Sequence, residues 1–265
     1  MEKNKLFSLF LFCFCLLFFS CGLDEYYVLD PPTANHVPTV TGVETYPNYD
    51  ESYFSFDTAE AGVNNKNYLD GSAGFKFLGT DIYYKIYKHY STMSSHIFAI
   101  SSLVSSTNES AAATRLIETY TYQTLGLKDS TNSPLIFNKD SNGNCIEETL
   151  KVEFRLTNYG EDFPYYLKIF DSNNNILKEY IPMRHENELS FDFGRTALDE
   201  NVNKVPEEGD ADLNTSGSSS DDDDDDQWYV ALYAVSVAQD ITLSRSYSTV
   251  TFLGSVCIFS DTEDN

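Results

Sequence analysis

Residues 228–238 read WYVALYAVSVA, an almost unbroken apolar run whose one polar member is Ser236. Because side chains of a strand alternate between its two faces, a run that is apolar at nearly every position is typical of a strand covered on both sides. We therefore expect it to be a central strand. Residues 249–259, TVTFLGSVCIF, form a similar segment and are expected to complete the same sheet.

Alternating segments farther upstream predict more strands. In residues 149–157 the apolar side chains are expected to point inward and the charged ones toward solvent: Leu150, Val152, Phe154 and Leu156 against Lys151, Glu153 and Arg155. In residues 81–87 the two faces are Ile82, Tyr84 and Ile86 against Tyr83, Lys85 and Tyr87. Residues 165–170 and 176–181 flank the sequence DSNNN and predict a hairpin. Leu189, Phe191 and Phe193 alternate with Ser190 and Asp192 and predict a further strand.

Residues 91–125 depart from this pattern and are expected to form a helical insertion. Met93, Ile97, Ile100 and Val104 recur at helical spacing, and Ser91 is a candidate N-cap. A Ser-rich edge strand over residues 91–104 is the alternative, because serine and β-branched residues are weak helix formers.

The fold class predicted from these segments is mainly β: an elaborated antiparallel β-sandwich over residues 41–260, followed by a polar tail at 261–265. Two smaller β-domains divided near residues 126–148 are the alternative. DIYYKIY at 81–87 and YVALYAV at 229–235 resemble strands C and F of fibronectin type III and immunoglobulin-like modules.

The N-terminus is typical of an exported lipoprotein. Lys3 and Lys5 precede residues 6–19, an apolar run interrupted only by Ser8, which is short for a membrane span and suits a signal peptide over residues 1–20. The sequence FFSCG at 18–22 resembles a relaxed spirochaete lipobox, which implies cleavage before Cys21 and acylation of its thiol. We therefore expect a membrane-anchored, extracytoplasmic protein of the cell envelope, on the outer membrane or the cell surface.

Residues 21–40 are expected to form an extended tether, because Pro31, Pro32 and Pro38 remove backbone donors and fix φ. The stretch CGLDEYYVLDPP at 21–32 also resembles the mature start of uncharacterised lipoproteins from treponemes. That resemblance supports the anchor and implies no activity.

The net charge of −24 excludes whole classes of partner. Nucleic acid and polybasic contacts with anionic lipid both need cations. Residues 199–226 contain 12 acidic residues against Lys204 alone, including six consecutive aspartates at 221–226. A segment of this composition lacks core residues and repels itself, so we expect a disordered acidic loop.

Metal and disulfide motifs are weak. Asn138, Asp140, Asn142 and Asn144 follow the ligand spacing of a calcium loop, but the bidentate glutamate is missing and a hairpin turn at Asn142 explains the stretch more simply. No metal or cofactor is therefore expected. Cys145 and Cys257 could form a disulfide after export, although Cys257 sits in an apolar segment where cysteine often acts as a small hydrophobe.

Catalytic motifs are equally weak, and we expect no enzymatic activity. His36, His89, His96 and His185 show no zinc spacing. The acidic pairs Glu147–Glu148 and Glu161–Asp162 leave open a carbohydrate- or peptidoglycan-active enzyme that uses two carboxylates. Tyr83, Tyr84, Tyr87 and Tyr90 could form an aromatic binding face, but such residues are more often half-buried sheet positions. The expected role is a non-enzymatic protein-binding or structural module whose partner is unidentified.

Overall fold

The computed structural model describes residues 28–43, 48–67, 76–106, 108, 110–137, 146–185, 189–194, 203–217, 226–240 and 242–260. The predicted signal peptide (1–20) and the predicted polar tail (261–265) lie outside these residues. The fold is mainly β, with 37% strand against 14% helix and predominantly antiparallel pairing. The predicted fold class is thereby confirmed. Among the described residues, no helix is both long and apolar enough to cross a bilayer.

Most of the described chain lies in short strands. They are β1 (Thr33–His36), β2 (Phe54–Asp57), β3 (Lys76–Tyr87), β4 (Gln123–Thr124), β5 (Gly126–Leu127), β6 (Lys151–Arg155), β7 (Tyr166–Phe170), β8 (Ile176–Tyr180), β9 (Pro182–Met183), β10 (Leu213–Asn214), β11 (Gln227–Gln239), β12 (Arg245–Tyr247) and β13 (Thr251–Phe259). The helices are α1 (Ala61–Asn67), α2 (Tyr90–Ser101) and α3 (Ala111–Thr114), the last continued by a π-helical turn (Arg115–Thr119).

Two sheets build the sandwich. The first has the order β1-β2-β6-β7-β8, and the second has the order β10-β3-β11-β12, with β13 also paired to β11 and β4 to β3. The predicted hairpin corresponds to β7 and β8 and is confirmed. β11 is the central strand of the second sheet, since it pairs along its length with β3 on one side and with β12 and β13 on the other.

The main core lies between the sheets, where the side chains predicted to point inward from β6 meet those of β3 and β11. Phe154, Ile82 and Leu232 are fully buried in it. This cluster draws on residues from Phe54 to Ile258, so the described chain forms one sandwich rather than two β-domains. Arg155 is the exception to the predicted alternation, because it is buried and its guanidinium donates to the carbonyl of Tyr49.

The opposite face of β3 and β11 is covered by the helices, which form a third layer. Met93 and Ile100 of α2 are buried against the tyrosines of that face, so the helical interpretation is correct and the edge-strand alternative is wrong. Its details differ from the prediction. α2 begins at Tyr90, so Ser91 is not its N-cap, and it ends at Ser101, which leaves Val104 exposed.

The first described residues belong to the sandwich, so the tether does not extend to residue 40. Leu29 is buried, and Ser236, the polar member of the central run, donates its hydroxyl to the carbonyl of Asp30 at 2.6 Å. Farther along, the amide of Ser255 on β13 donates to the carbonyl of Pro38 at 2.8 Å. A side chain at Gly254 (φ +130°) would collide with Pro38, so glycine permits this approach.

Two further differences concern local structure. Residues 189–193 are not a strand, although Phe191 and Phe193 are fully buried in the core. Ser190 and Asp192, the polar members of the predicted alternation, are also buried. The carboxylate of Asp192 accepts a hydrogen bond from the amide of Asn158 at 2.6 Å, and the hydroxyl of Ser190 donates to Asn203 Oδ1 at 2.5 Å.

The two segments that resemble strands C and F belong to β3 and β11, which pair along their length, and β13 pairs with the other edge of β11. The first sheet differs from the A-B-E-D order of the immunoglobulin fold. In this sheet β6 pairs with β2, β7 pairs with β6, and β8 is the edge strand.

Replacing Leu29 with alanine should destabilise the fold, because Leu29 packs against Ala61, Phe77 and Ala238. We expect the free energy of unfolding in urea to fall by about 2–4 kcal/mol. Val28→Ala is the matched control, since this neighbouring side chain is 43% exposed, and it should change stability by less than about 0.5 kcal/mol. Equal effects of the two substitutions would restore the tether interpretation.

Candidate functional site

Part of the acidic loop is ordered against the sandwich. Residues 203–217 lie against the sandwich, and within them β10 pairs in parallel with the end of β3. Asn203 and Asp212 are buried, and the amide of Ile86 donates to the carbonyl of Asp212 at 2.9 Å. The prediction of disorder is therefore wrong for residues 203–217, which we call the acidic segment. Residues 199–202 and 218–225 lie outside the described part of the chain.

Arg184 holds this segment in place. It follows β9 directly, and its side chain is 2% exposed. Its Nε and Nη2 donate to the two carboxylate oxygens of Asp212 at 2.8 and 2.7 Å, a bidentate pairing. Nη2 also donates to Asp210 at 2.7 Å. One buried guanidinium therefore pairs with two carboxylates of the acidic segment.

Tyr84 of β3 completes the site from the sheet. Its hydroxyl donates to Asp212 Oδ2 at 2.6 Å and accepts the amide of His185 at 2.7 Å. Burial, reinforced by the negative charge of Asp212, raises the pKa of Tyr84 well above its ordinary value, so the phenol stays protonated. Arg184 already supplies a donor to each carboxylate oxygen of Asp212, and Tyr84 adds a second donor to Oδ2, which further compensates the burial of this charge.

Lys85 binds the acidic segment from the other face of β3. Its ammonium donates to the carbonyl of Ala211 at 3.2 Å and to the carbonyl and hydroxyl of Thr121 at 3.3 and 2.9 Å. Burial lowers the pKa of Lys85, and the charge of Asp212 partly opposes that effect. Because Thr121 follows the helices, Lys85 links the acidic segment to the helical layer.

An aromatic cluster lies beside Lys85 beneath the helices. The Tyr87 hydroxyl lies 3.0 Å from His96 Nδ1 and donates to the Tyr122 hydroxyl, also at 3.0 Å. The His96 ring stacks on Tyr120 with centroids 3.8 Å apart. Burial and the charge of Lys85 lower the pKa of His96, so the folded protein favours the neutral imidazole.

The Arg184 site borders a shallow pocket of about 230 Å³ lined by Arg184, His185, Leu189, Gly209, Asp210, Ala211 and Asp212. Partial burial alone would raise the pKa of Asp210, but hydrogen bonds from Arg184 and the backbone outweigh it and lower the pKa. Asp210 therefore stays ionised, whereas glycoside hydrolysis needs one carboxyl group that is protonated. The arrangement suits holding a segment of chain rather than proton transfer.

The predicted acidic pairs do not contribute to this pocket. Glu147 and Glu148 lie before β6, and Glu161 and Asp162 lie in the turn between β6 and β7. All four side chains are exposed to solvent. The structure does not bring either pair together with the Arg184 site.

Several predicted site residues lie outside the described residues: Cys21, Asn138, Asp140, Asn142, Asn144 and Cys145. The acyl anchor, the calcium loop and the disulfide therefore stay predictions. Cys257 is described on β13, where its side chain is buried and its thiol lies 4.0 Å from Gln227 Oε1.

Two of the histidines named from the sequence, His36 and His96, stack on tyrosine rings. His36 stacks on Tyr53 with ring centroids 3.9 Å apart and lies 3.4 Å from Glu51. Within the described residues, no group of three or more His, Cys, Asp or Glu side chains could hold a metal ion. The tyrosines do not form an exposed binding face, because Tyr83, Tyr84 and Tyr87 are buried and Tyr90 is half-buried.

Comparison with known proteins finds no matching family model, no similar curated protein and no similar solved structure. The site must therefore be interpreted from its own geometry. Arg184 and Asp212 were not identified as site residues from the sequence, and Tyr84 was named only as part of a candidate aromatic binding face. A faint signal existed in Lys85, a charged residue inside a strand whose neighbours on both faces are apolar.

Replacing Arg184 with methionine should release the acidic segment, because it leaves the buried carboxylate of Asp212 without its cation. Removing one partner of a buried pair typically destabilises by about 3–5 kcal/mol. We expect hydrogen exchange of the Ile86 and Leu213 amides to accelerate more than about 100-fold.

Two control variants accompany the hydrogen-exchange measurement on Arg184→Met. Arg245→Met removes a guanidinium that pairs with Asp81 farther along β3 and should leave the same amides protected. The double variant R184M/D212L replaces both charges and should recover most of the lost stability. Unchanged exchange in R184M would show that the segment docks without the ion pair.

Acidification should weaken the fold through His96. Since the folded protein lowers the pKa of His96, the unfolded chain binds the proton more readily, and stability falls as pH drops below the ordinary histidine value of about 6.5. His96→Gln should reduce the loss of thermal stability between about pH 7 and about pH 5. His36→Gln controls for removing a histidine. An identical pH dependence in wild type and H96Q would argue against this role.

Proposed function

We propose that this protein is a lipid-anchored, extracytoplasmic lipoprotein of the cell envelope, held by an acylated Cys21. Its sandwich acts as a non-enzymatic module that binds another protein or serves a structural role at the outer membrane or cell surface. The observation that carries the proposal is the position of Leu29, which is already buried in the sandwich only eight residues after Cys21 in the sequence. A folded domain therefore starts almost immediately after the predicted acylation site.

The non-enzymatic part of the proposal is supported by the state of the charged groups at the pocket. Arg184 donates hydrogen bonds to Asp210 and Asp212. Tyr84 donates to Asp212 and accepts the backbone amide of His185. Such a site stabilises a surface rather than turning over a substrate. The resemblance of residues 21–32 to treponemal lipoproteins agrees with this interpretation and adds no activity.

The binding role is supported by the acidic segment. Glu207 and Glu208 are exposed on it, while Arg184 and Lys85 fix the backbone on either side of β3. A fixed display of negative charge favours basic protein partners and disfavours nucleic acid, because complementary potentials steer association. The partner we propose is therefore a protein with a basic surface.

Cys21→Ala should abolish the anchor, because acylation requires that thiol. For the full chain expressed in a bacterium that processes lipoproteins, we expect an intact mass that starts at Cys21 and carries lipid, and partition into a detergent phase. The C21A chain should stay in the aqueous phase. Stable anchoring needs two or more acyl chains, which the measured mass would count.

Cys257→Ala is the matched control, since it removes a different cysteine that is buried in β13, and it should keep the lipid. Protease added to intact cells then distinguishes a surface location, in which the sandwich is cleaved, from an inward-facing one, in which cleavage requires lysis. A wild-type chain without lipid, or one starting elsewhere, would overturn the proposal and reopen the enzyme hypothesis.

A further inference from the structure

The two ends of the sandwich differ in chemistry. At the anchor end, which we define by Leu29, Ala61, Phe77 and Ala238, the chain enters the fold. At the acidic end, β10 pairs with Ile86 and Tyr87 at the far end of β3. β3 has 12 residues, so at the usual rise of 3.2–3.4 Å the two ends are separated by about 35 Å.

The chain between Cys21 and the fold is short whatever its conformation. Val28 follows Cys21 by seven positions in the sequence, and a fully extended chain spans at most about 25 Å over seven residues. An acylated Cys21 would therefore hold the anchor end closer to the bilayer than the length of the sandwich. The domain can stand on that end or lie on one side. The apolar and charged side chains exposed on each surface determine which orientation is favoured.

The anchor end exposes apolar side chains. Leu243 lies in the turn between β11 and β12 and is 73% exposed, and Val28 is 43% exposed at the point of entry. Gln239 Nε2 donates to the carbonyl of Leu243 at 3.0 Å, and the carboxylate of Asp240 accepts the amides of Thr242 and Ser244, both at 2.8 Å. The turn is thus fixed with its leucine directed away from the core.

Charge bears on the orientation as well, because the acidic segment has more exposed carboxylates than the turn of Leu243, whose acid is Asp240. The exposed acids Glu207 and Glu208 lie in the acidic segment, which docks near the acidic end. In salt at physiological strength, charge is screened over about 8 Å, so a separation of about 35 Å removes these acids from the field of a bilayer. A domain lying on its side would bring them closer to the lipid headgroups.

We propose that the sandwich stands on the membrane with Leu243 and Val28 against the lipid surface and the acidic segment directed away from it. This orientation rests on the proposed anchor at Cys21. The occupant of the apolar surface is the bilayer to which the same chain is attached. The basic partner then meets the acidic segment from the side opposite the membrane.

The competing surface is the helical layer. Phe98 of α2 is 77% exposed, and the sequence from His89 to Asn108 contains no Asp, Glu, Lys or Arg. A neutral surface with one aromatic side chain could also rest on lipid. Phe98 is therefore a matched reference for Leu243, since both are large apolar side chains with nearly equal exposure.

The test places a polarity-sensitive fluorophore at single cysteines in the lipidated full chain. Three variants in a C145S/C257A background, L243C, F98C and S216C, label the anchor end, the helical layer and the acidic end. Each is reconstituted into phosphatidylcholine vesicles with and without nitroxide-labelled phosphatidylcholine. We expect quenching by the nitroxide lipid to be at least about threefold stronger at position 243 than at positions 98 and 216, because a shallow quencher reports direct contact with the interface.

Other outcomes separate the two proposals. If the chain carries lipid and floats with the vesicles but position 98 is quenched most, the domain lies on its helical layer and the orientation is wrong. Strongest quenching at position 216, or equal quenching at all three positions, overturns it as well. A chain that carries no lipid and does not float overturns the anchor at Cys21, and the orientation with it.

Discussion

Burial of β11 on both faces constrains the rest of this molecule. Packing against one other sheet cannot bury its eleven-residue apolar run, because alternate side chains point in opposite directions. Leu232 therefore packs into the core between the sheets, while Tyr233 packs under the helices. The three layers follow from this requirement. The helical insertion is needed to cover the second face and is not an appendage on a sandwich that would be complete without it.

The edges of the second sheet impose a further requirement, because unpaired strand edges bind other strands. Short segments from distant parts of the chain cover them. β4 and β10 pair with β3 on its open side, and the carbonyl of Pro38 accepts a hydrogen bond from the amide of Ser255 on β13. The acidic segment and the N-terminal segment are thus alike in structure despite their different composition. Each is held by backbone hydrogen bonds to an edge and by a few buried polar contacts.

The way in which each segment is held explains which features could be predicted from the sequence. β6 and β11 have strong apolar patterns because they are buried by neighbours on defined faces, and alternation reports burial directly. The acidic segment has a composition typical of disorder, yet it is ordered through Arg184 and Tyr84, which are far away in sequence. Composition describes what a segment can bury by itself and cannot report a cation supplied elsewhere. Ser236 was a partial signal, since a polar residue in a strand buried on both faces needs a partner, but it could not identify Asp30.

The strongly acidic chain buries two cations, Arg184 and Lys85, at one place, and this combination fixes the position of the acidic segment. A buried guanidinium without a carboxylate would be strongly unfavourable, and the same holds for Asp212 without Arg184. Each group can be buried only with the other, so the site forms when the segment docks. Because β3 carries Tyr84 and Lys85 toward the end remote from Leu29, the sheet determines where negative charge accumulates. The separation of the acidic segment from the N-terminal entry is therefore a property of the fold and does not depend on the length of the loop that carries the charge.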